Sequence, residues 1–201
     1  VYSYEKAADL IKQQGYACVL HCPCRQSAEL VGKGCGKPTE VCLHFGDLAR
    51  FFVEKGYARE VSLEEALEIL DSTEKAGLIH MVGNSKQMGV AMCSCCTCCC
   101  TQFRAISEMQ MPDAVAPSRF FAYVDENECT ACETCTQRCL VGAITIVDDA
   151  AEVDEALCLG CGLCVTTCPV EAISLVERDS YRVPVDTGME LVTAFIKGKK
   201  K

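Results

Sequence analysis

The sequence of 201 residues lacks the features that mark several large functional classes. It contains no apolar run near the roughly 18 residues that a membrane span needs, and its first residues show no signal-peptide pattern. It also lacks a glycine fingerprint for a flavin or nicotinamide cofactor. Residues 32–38 are rich in glycine and lysine, but Lys37 is followed by Pro38, which excludes a phosphate-binding loop. We therefore expect neither a membrane span nor a conventional nucleotide site.

Cysteine is abundant instead, with 19 residues. Disulfide-rich chains are typically shorter than about 80 residues, so a chain of this length favours free thiols, metal binding and a reducing compartment. Eight of the cysteines form two matched runs with the spacing C-x2-C-x2-C-x3-C, an internal repeat with an offset of 29 residues. The first run is Cys129, Cys132, Cys135 and Cys139, and the second is Cys158, Cys161, Cys164 and Cys168.

This spacing is the pattern that binds [4Fe–4S] clusters, in which the fourth cysteine of each run serves the other cluster. Three thiolates spaced i, i+3 and i+6 wrap one face of a cubane, and the fourth must come from elsewhere. Zinc knuckles, the alternative, generally use two separated C-x2-4-C pairs for each ion. The crossed rule predicts one cluster at Cys129, Cys132, Cys135 and Cys168, and a second at Cys158, Cys161, Cys164 and Cys139.

From about Phe120 to Val176 the sequence resembles the bacterial two-[4Fe–4S] ferredoxin family. It departs from the family at Leu140, where a proline usually follows the fourth cysteine of the first run. The resemblance implies a ferredoxin-like fold of βαββαβ type with pseudo-twofold symmetry. It also implies that the two clusters transfer single electrons.

Ten more cysteines form a second set of candidate ligands in the N-terminal half. Two of them flank Pro23 in a C-P-C-R motif, two follow in segments expected to be loops ahead of helices, and six crowd residues 93–100. Six thiols in eight residues cannot all bind one ion from one loop. In an extended segment Cys93 and Cys95 would face one side, and Cys96, Cys98 and Cys100 the other. The ten candidates are Cys22, Cys24, Cys35, Cys42, Cys93, Cys95, Cys96, Cys98, Cys99 and Cys100.

We predict at least one further iron–sulfur cluster among these thiols. A zinc site and a redox-active disulfide cluster are the alternatives. Their arrangement ahead of a two-cluster module is similar to that of uncharacterised iron–sulfur proteins of anaerobes. Cys18, in a predicted buried strand, is expected to be a small core residue instead. The preferred ligands are Cys22, Cys24, Cys42, Cys93 and Cys96.

The predicted fold class is α+β. Residues 1–111 are expected to form a small helical, cysteine-rich domain, residues 112–118 a linker with two prolines, residues 119–178 the ferredoxin-like domain and residues 179–201 a C-terminal extension. The best-marked helix is Val61–Ala76, where Ser62 and Glu65 form a capping box. The other elements predicted before the linker are helices at Ser3–Gln14, after Asp47 and at Thr101–Met111, with strands at Tyr16–Leu20 and Leu78–Val82.

These features predict an electron-transfer protein, or an electron-transfer subunit of a larger oxidoreductase complex, in a reducing or anaerobic cytoplasm. Residues 112–176 carry 2 basic and 11 acidic side chains, so the net charge of this segment is as negative as that of the whole chain. Such a surface repels nucleic acid and suits a basic docking patch on a redox partner. Two alternatives remain, a catalytic cysteine cluster in the N-terminal half and a structural zinc domain attached to a ferredoxin.

Overall fold

The computed structural model of the protein describes residues 1–85, 91–111, 114–181 and 183–197. Its helices are α1 Tyr4–Lys12, α2 Pro23–Leu30, α3 Gly46–Glu54, α4 Leu63–Lys75, α5 Thr101–Met109, α6 Thr134–Arg138 and α7 Gly188–Ile196. Its strands are β1 Ala17–His21, β2 Glu40–Phe45, β3 Arg59–Val61, β4 Ile79–Val82, β5 Ala91–Cys95, β6 Phe120–Val124, β7 Ile144–Val147, β8 Ala150–Val153 and β9 Ile173–Glu177. The mixture of helices and strands agrees with the predicted α+β class.

A five-stranded antiparallel sheet forms the centre of the N-terminal half, with the strand order β3-β1-β2-β5-β4. The prediction of a helical domain is therefore wrong for this half, because it missed β2 and β3. In β2, Val41, Cys42 and Leu43 are buried in succession, so the alternation typical of a half-exposed strand is hidden. Strand β3 has only three residues, which is too few for a periodic pattern.

The two faces of this sheet carry different chemistry, because successive side chains of a strand point to opposite faces. Leu43 of β2 and Met92 of β5 are opposite each other in register and pack into the core with α1 and α4. Cys42 and Cys93, one position along each strand, therefore point to the other face. Cys18 of β1 is fully buried, which confirms its predicted place in the core.

The helices of this half agree with the sequence in most respects. The predicted helix from Val61 is confirmed as α4, where Ser62 Oγ accepts a hydrogen bond from the Glu65 backbone N–H at 3.1 Å. Helix α3 begins at Gly46, so Asp47 lies in its first turn and does not cap it. Helix α2 was not expected, although Pro23 favours the first turn of a helix. Consequently Cys24 lies on a helix and Cys42 on a strand, and neither is in a loop.

The C-terminal half contains two antiparallel strand pairs, β6 with β9 and β7 with β8. Between the first and second strands lies the short helix α6, as expected for the first repeat. The corresponding segment of the second repeat is a turn where the βαββαβ pattern expects a helix. There the Thr167 hydroxyl donates to the Leu163 carbonyl at 2.9 Å, and such a bond from a β-branched residue competes with a helix.

The two halves are packed against each other. The amino group of Val1 donates to the Ala116 carbonyl at 3.2 Å, and the Arg138 guanidinium donates to the carbonyls of Glu74 and Lys75. Phe103 belongs to an apolar cluster that spans both halves. The domain bounds drawn from the sequence stay a prediction; Pro112 and Asp113 of the expected linker and residues 198–201 of the extension lie outside the described residues. None of the helices described here has the length and apolar character to cross a membrane.

Candidate metal centres

The two C-terminal cysteine runs close around two separate cavities. Each cavity takes three cysteines from one run and the last cysteine of the other run, as the crossed rule expects. Each therefore presents four thiols in the arrangement that a [4Fe–4S] cluster requires. The first cavity is lined by Cys129, Cys132, Cys135 and Cys168, and the second by Cys139, Cys158, Cys161 and Cys164.

The backbone of the two ligand loops follows the 29-residue repeat closely. Ala131 and Gly160, which are equivalent in the repeat, both have a positive φ, of 49° and 64°. Glu133 and Gly162, the next equivalent pair, have φ values of 61° and 81°. L-residues rarely adopt this conformation, so the first loop keeps the backbone geometry of the second although it lacks the two glycines.

Glycine is required for a further reason at Gly160, because a Cβ atom there would lie 2.0 Å from the carbonyl oxygen of Phe120. Backbone donors also reach the sulfurs. The Gly160 N–H donates to Cys158 Sγ at 3.4 Å, and the Ala143 N–H donates to Cys139 Sγ at 3.2 Å. Hydrogen bonds of this kind stabilise thiolate charge and tune cluster potentials. The sites therefore fit iron–sulfur clusters in donor atoms and in backbone environment.

The two cavities differ in their access to solvent. At the first, Cys132 is exposed and the neighbouring Glu133 is exposed as well. The second is also lined by Ile79 of β4, so it faces the N-terminal half. Burial raises the pKa of the Cys161 thiol to about 11. A bound cation would favour the thiolate form of this sulfur at neutral pH.

A third group of thiols, which we call the buried row, lies on the sheet face opposite Leu43 and Met92. It runs from the start of α2 through strands β2 and β5 to the start of α5, and each sulfur lies close enough to the next to shift its pKa. Cys93 and Cys95 also stand directly opposite Met81 and Ile79 of β4. The buried row consists, in order, of Cys22, Cys42, Cys93, Cys95 and Cys100.

Proton affinities alternate along the buried row. Interaction with the Cys42 thiol lowers the pKa of Cys22 to about 5, and interaction with the Cys42 and Cys95 thiols lowers that of Cys93 to about 3. Hydrogen bonds to those neighbours raise the pKa of Cys42, and the same effect raises that of Cys95. The row by itself therefore favours ionisation at alternate positions. Ionisation of every sulfur requires the positive charge of a metal or cluster.

A fourth group, which we call the compact quartet, lies beside the buried row. Its four sulfurs are all within 4.8 Å of one another. Cys96 and Cys99 are buried, whereas Cys98 is exposed. The quartet joins the loop after α2 to the turn after β5, and its members are Cys35, Cys96, Cys98 and Cys99.

Arg25 stands between the two N-terminal groups. Its guanidinium is 3% exposed and donates to Cys96 Sγ at 3.7 Å and to the Ser94 carbonyl at 3.0 Å. The sulfurs of Cys22 and Cys95 also lie near it. A buried cation needs compensating negative charge. In the described part of the chain that charge comes from thiolates, because no carboxylate pairs with Arg25 there.

The structure divides the predicted N-terminal ligands differently from the alternation rule. Cys96 belongs to the compact quartet and is thus separate from the other preferred ligands, whereas Cys100 belongs to the buried row. The reason is that β5 ends at Cys95 and the chain then turns, with the Cys100 N–H donating to the Cys96 carbonyl. Cys24 belongs to neither group, although its sulfur lies 3.9 Å from Thr101 Oγ1.

Sequence reasoning missed a buried polar network between the halves. His80, which is 1% exposed, contacts Glu74 Oε2 through Nε2 at 3.1 Å and Ser94 Oγ through Nδ1 at 3.3 Å. Thr166, in the second ligand loop, donates to the other oxygen of Glu74 at 2.7 Å. The network therefore connects the segment of the buried row to the second cavity. No sequence pattern marks it, because Glu74 and Thr166 are 92 residues apart.

Comparison with known proteins bears on the C-terminal half. No curated protein matches the chain significantly. Residues 122–175, a little over a quarter of the chain, match the family model described as a 4Fe-4S dicluster domain. The matched residues include both cysteine runs and therefore both cavities. Residues 122–175 therefore match a 4Fe–4S dicluster domain, and this match together with the many cysteines indicates an iron–sulfur protein of the electron-transfer kind.

Proposed function

We propose that the protein carries single electrons between a redox partner and a third iron–sulfur cluster in its N-terminal half. In this proposal two [4Fe–4S] clusters occupy the crossed cavities, and the buried row holds the third. The clusters would supply reversible one-electron storage, and the polypeptide fixes their spacing, solvation and charge. The finding that carries the proposal is the pair of cavities, each lined by four thiols from both runs.

The position of the second cavity supports an internal path for the electron. Cys161 of this cavity packs in the same apolar cluster as Cys95 and Cys100 of the buried row. Ile79 lines the cavity and stands opposite Cys95 in the sheet. An electron on the second cluster would thus need to cross only one layer of side chains to reach the buried row.

The state of the cysteines supports a reducing compartment. All 19 cysteines are free in the structure, and Cys98 and Cys132 are exposed. Exposed thiols next to further thiols oxidise readily, so such a chain keeps its ligand sets only where thiols stay reduced. We therefore propose that the protein works in a reducing, anaerobic cytoplasm.

Metal content tests the third cluster directly. Protein purified without oxygen should contain more than the about eight irons of two cubanes. Reduction with dithionite should give electron paramagnetic resonance signals from more than two centres. Each reduced cluster contributes its own signal, and magnetic coupling between neighbouring clusters changes the shape of those signals. In the variant Cys42→Ser, iron should fall towards about eight per chain, since Cys42 lies in the middle of the buried row. Unmodified protein with eight irons and only two centres would contradict a third cluster.

Electrostatic steering tests the site of electron entry. Four exposed carboxylates lie close in sequence to residues that line the first cavity, those of Glu126, Glu128, Glu133 and Glu171. Oxidation of the reduced protein by hexaammineruthenium(III), a cationic acceptor, should therefore slow as salt is added. The double variant Glu128→Gln, Glu133→Gln should react roughly threefold more slowly at low salt.

The matched control replaces two exposed carboxylates of α4, as Glu64→Gln, Glu68→Gln, which changes net charge equally. This control should keep nearly the original rate and salt dependence. Ferricyanide, an anionic acceptor, should show the opposite dependence on salt. Equal slowing in both double variants would show that net charge, and not the face around the first cavity, governs the reaction.

A further inference from the structure

We propose that the compact quartet binds one tetrahedral metal ion, with Zn²⁺ as the expected occupant, separate from every iron–sulfur cluster. The inference goes beyond electron transfer, because such an ion would be structural and its site would stand whether or not a third cluster exists. The observations that carry it are the spacing of the four sulfurs, their burial and charge, and the loop that one of them holds.

The spacing fits a single ion. With Zn–S bonds of about 2.3 Å, the sulfurs of a tetrahedral site lie about 3.8 Å apart. In the quartet, Cys35 Sγ lies 3.9 Å from Cys96 Sγ, and Cys98 Sγ lies 3.8 Å from Cys99 Sγ. A disulfide bond would instead need the two sulfurs at about 2.05 Å. The separations are therefore too long for disulfides and suitable for four bonds to one centre.

The same protein supplies the contrast with a cubane. In a cubane the Fe₄S₄ core stands between the thiolates and keeps them further apart than a single ion does. The two ferredoxin quartets line cavities, and neither has all its sulfurs within 4.8 Å. Among the residues that the structure describes, the compact quartet is the group that meets this limit. It is thus built to a smaller scale than the cluster sites.

Burial and charge also suit a closed site. Cys96 and Cys99 are 1% and 2% exposed and pack with Leu78 in a small apolar cluster. The Arg25 guanidinium donates to Cys96 Sγ and offsets part of the excess charge of four thiolates around a divalent ion. Four sulfur ligands with no open position are typical of structural zinc. Exposed Cys98 leaves a route by which the ion enters.

The ion would fasten a loop that has few other anchors. Residues 31–39 are without helix or strand and largely exposed. Gly32 and Gly36 in this loop have positive φ values of 69° and 68°. Besides Cys35, the Lys37 ammonium donates to the Ala76 carbonyl at 2.6 Å, and at the end of the loop the Thr39 carbonyl accepts a hydrogen bond from the Cys22 N–H at 2.6 Å. Binding at Cys35 would therefore order the loop against the turn after β5.

The test compares zinc, iron and acid-labile sulfide in full-length protein purified without oxygen from zinc-supplemented cells. We expect about one zinc per chain. The variants Cys98→Ser and Cys35→Ser should lose that zinc and keep their iron and sulfide. Cys24→Ser, a partly buried cysteine outside the quartet, should keep its zinc. Because Cys98 is exposed, its replacement leaves the buried packing intact, and an unchanged iron content reports a folded chain.

Two further measurements decide the remaining cases. Cobalt exchanged into the site should give the visible absorption of a tetrahedral tetrathiolate, and hydrogen exchange in residues 31–39 should rise when the ion is removed. Loss of one iron without sulfide in Cys98→Ser would support the single-ion site with iron as its occupant. Loss of several irons together with sulfide would overturn the proposal, because the quartet would then belong to a cluster. Metal content that is unchanged in both quartet variants would overturn it as well.

Discussion

Replacing Cys139 with alanine should remove the cluster bound by the second cysteine run, and replacing Cys168 should remove the cluster bound by the first. Each variant should contain about four fewer irons per chain than the unmodified protein. The reason is that Cys139 lies in the second cavity and Cys168 in the first, although each belongs in sequence to the other run. Loss of one corner ligand leaves an iron without a protein thiolate.

Hydrogen exchange shows which cluster is lost. A ligand loop with positive φ at two positions is held open by its cluster, so it should exchange faster once the cluster is gone. In Cys139→Ala, exchange should rise at residues 158–164, and in Cys168→Ala at residues 129–135. An uncrossed arrangement predicts the reverse pattern, so a rise within the substituted residue's own run would refute the crossed assignment.

Cys18→Ala is the matched control for both variants. Cys18 is fully buried in β1 and belongs to none of the four thiol groups. Its replacement removes a sulfur from the core and should cost stability without changing iron content. A loss of iron in this control would show that core packing, and not ligation, explains the effect of the other substitutions.

The crossed cavities and the main helices could be predicted from sequence because their signals are local or periodic. Three such signals can be read directly from the sequence: the spacing of the apolar residues in α4, the cap at Ser62 and the repeat of 29 residues. The equivalence of Ala131 with Gly160 in φ was not visible, because alanine gives no sign of a left-handed conformation. Loop geometry in the first repeat follows from what the loop surrounds.

The division of the N-terminal thiols could not be predicted for a different reason. The alternation of side chains predicts which face of the sheet a residue occupies only while the chain is extended. The chain turns after Cys95, so the rule fails for the cysteines that follow. Cys35 reaches Cys96 across 61 residues of sequence, so the partner of a loop cysteine depends on how helices and strands pack. Helix α2 adds to this, since it directs Arg25 into the space between the two thiol groups.

Replacing Glu74 with alanine should lower the free energy of unfolding by about 3 kcal/mol, the scale for breaking a buried charged or hydrogen-bonded pair. Glu74 is 6% exposed and accepts hydrogen bonds through both carboxylate oxygens. Its removal would leave the His80 ring nitrogen without its partner in a site that is 1% exposed. It would also remove the hydrogen bond between Thr166 and the N-terminal half, and it would leave a cavity beside His80 and Thr166.

The measurement is the midpoint of anaerobic urea unfolding, followed by circular dichroism. Glu68→Ala, on the exposed side of the same helix, is the matched control and should change stability by no more than about 0.5 kcal/mol. Glu74→Gln keeps one oxygen acceptor and should lose less stability than Glu74→Ala. Because Thr166 lies between Cys164 and Cys168, Glu74→Ala should also speed hydrogen exchange in residues 163–168, which a purely local effect on α4 would leave unchanged. Equal midpoints for Glu74→Ala and Glu68→Ala would show that the network does not join the halves.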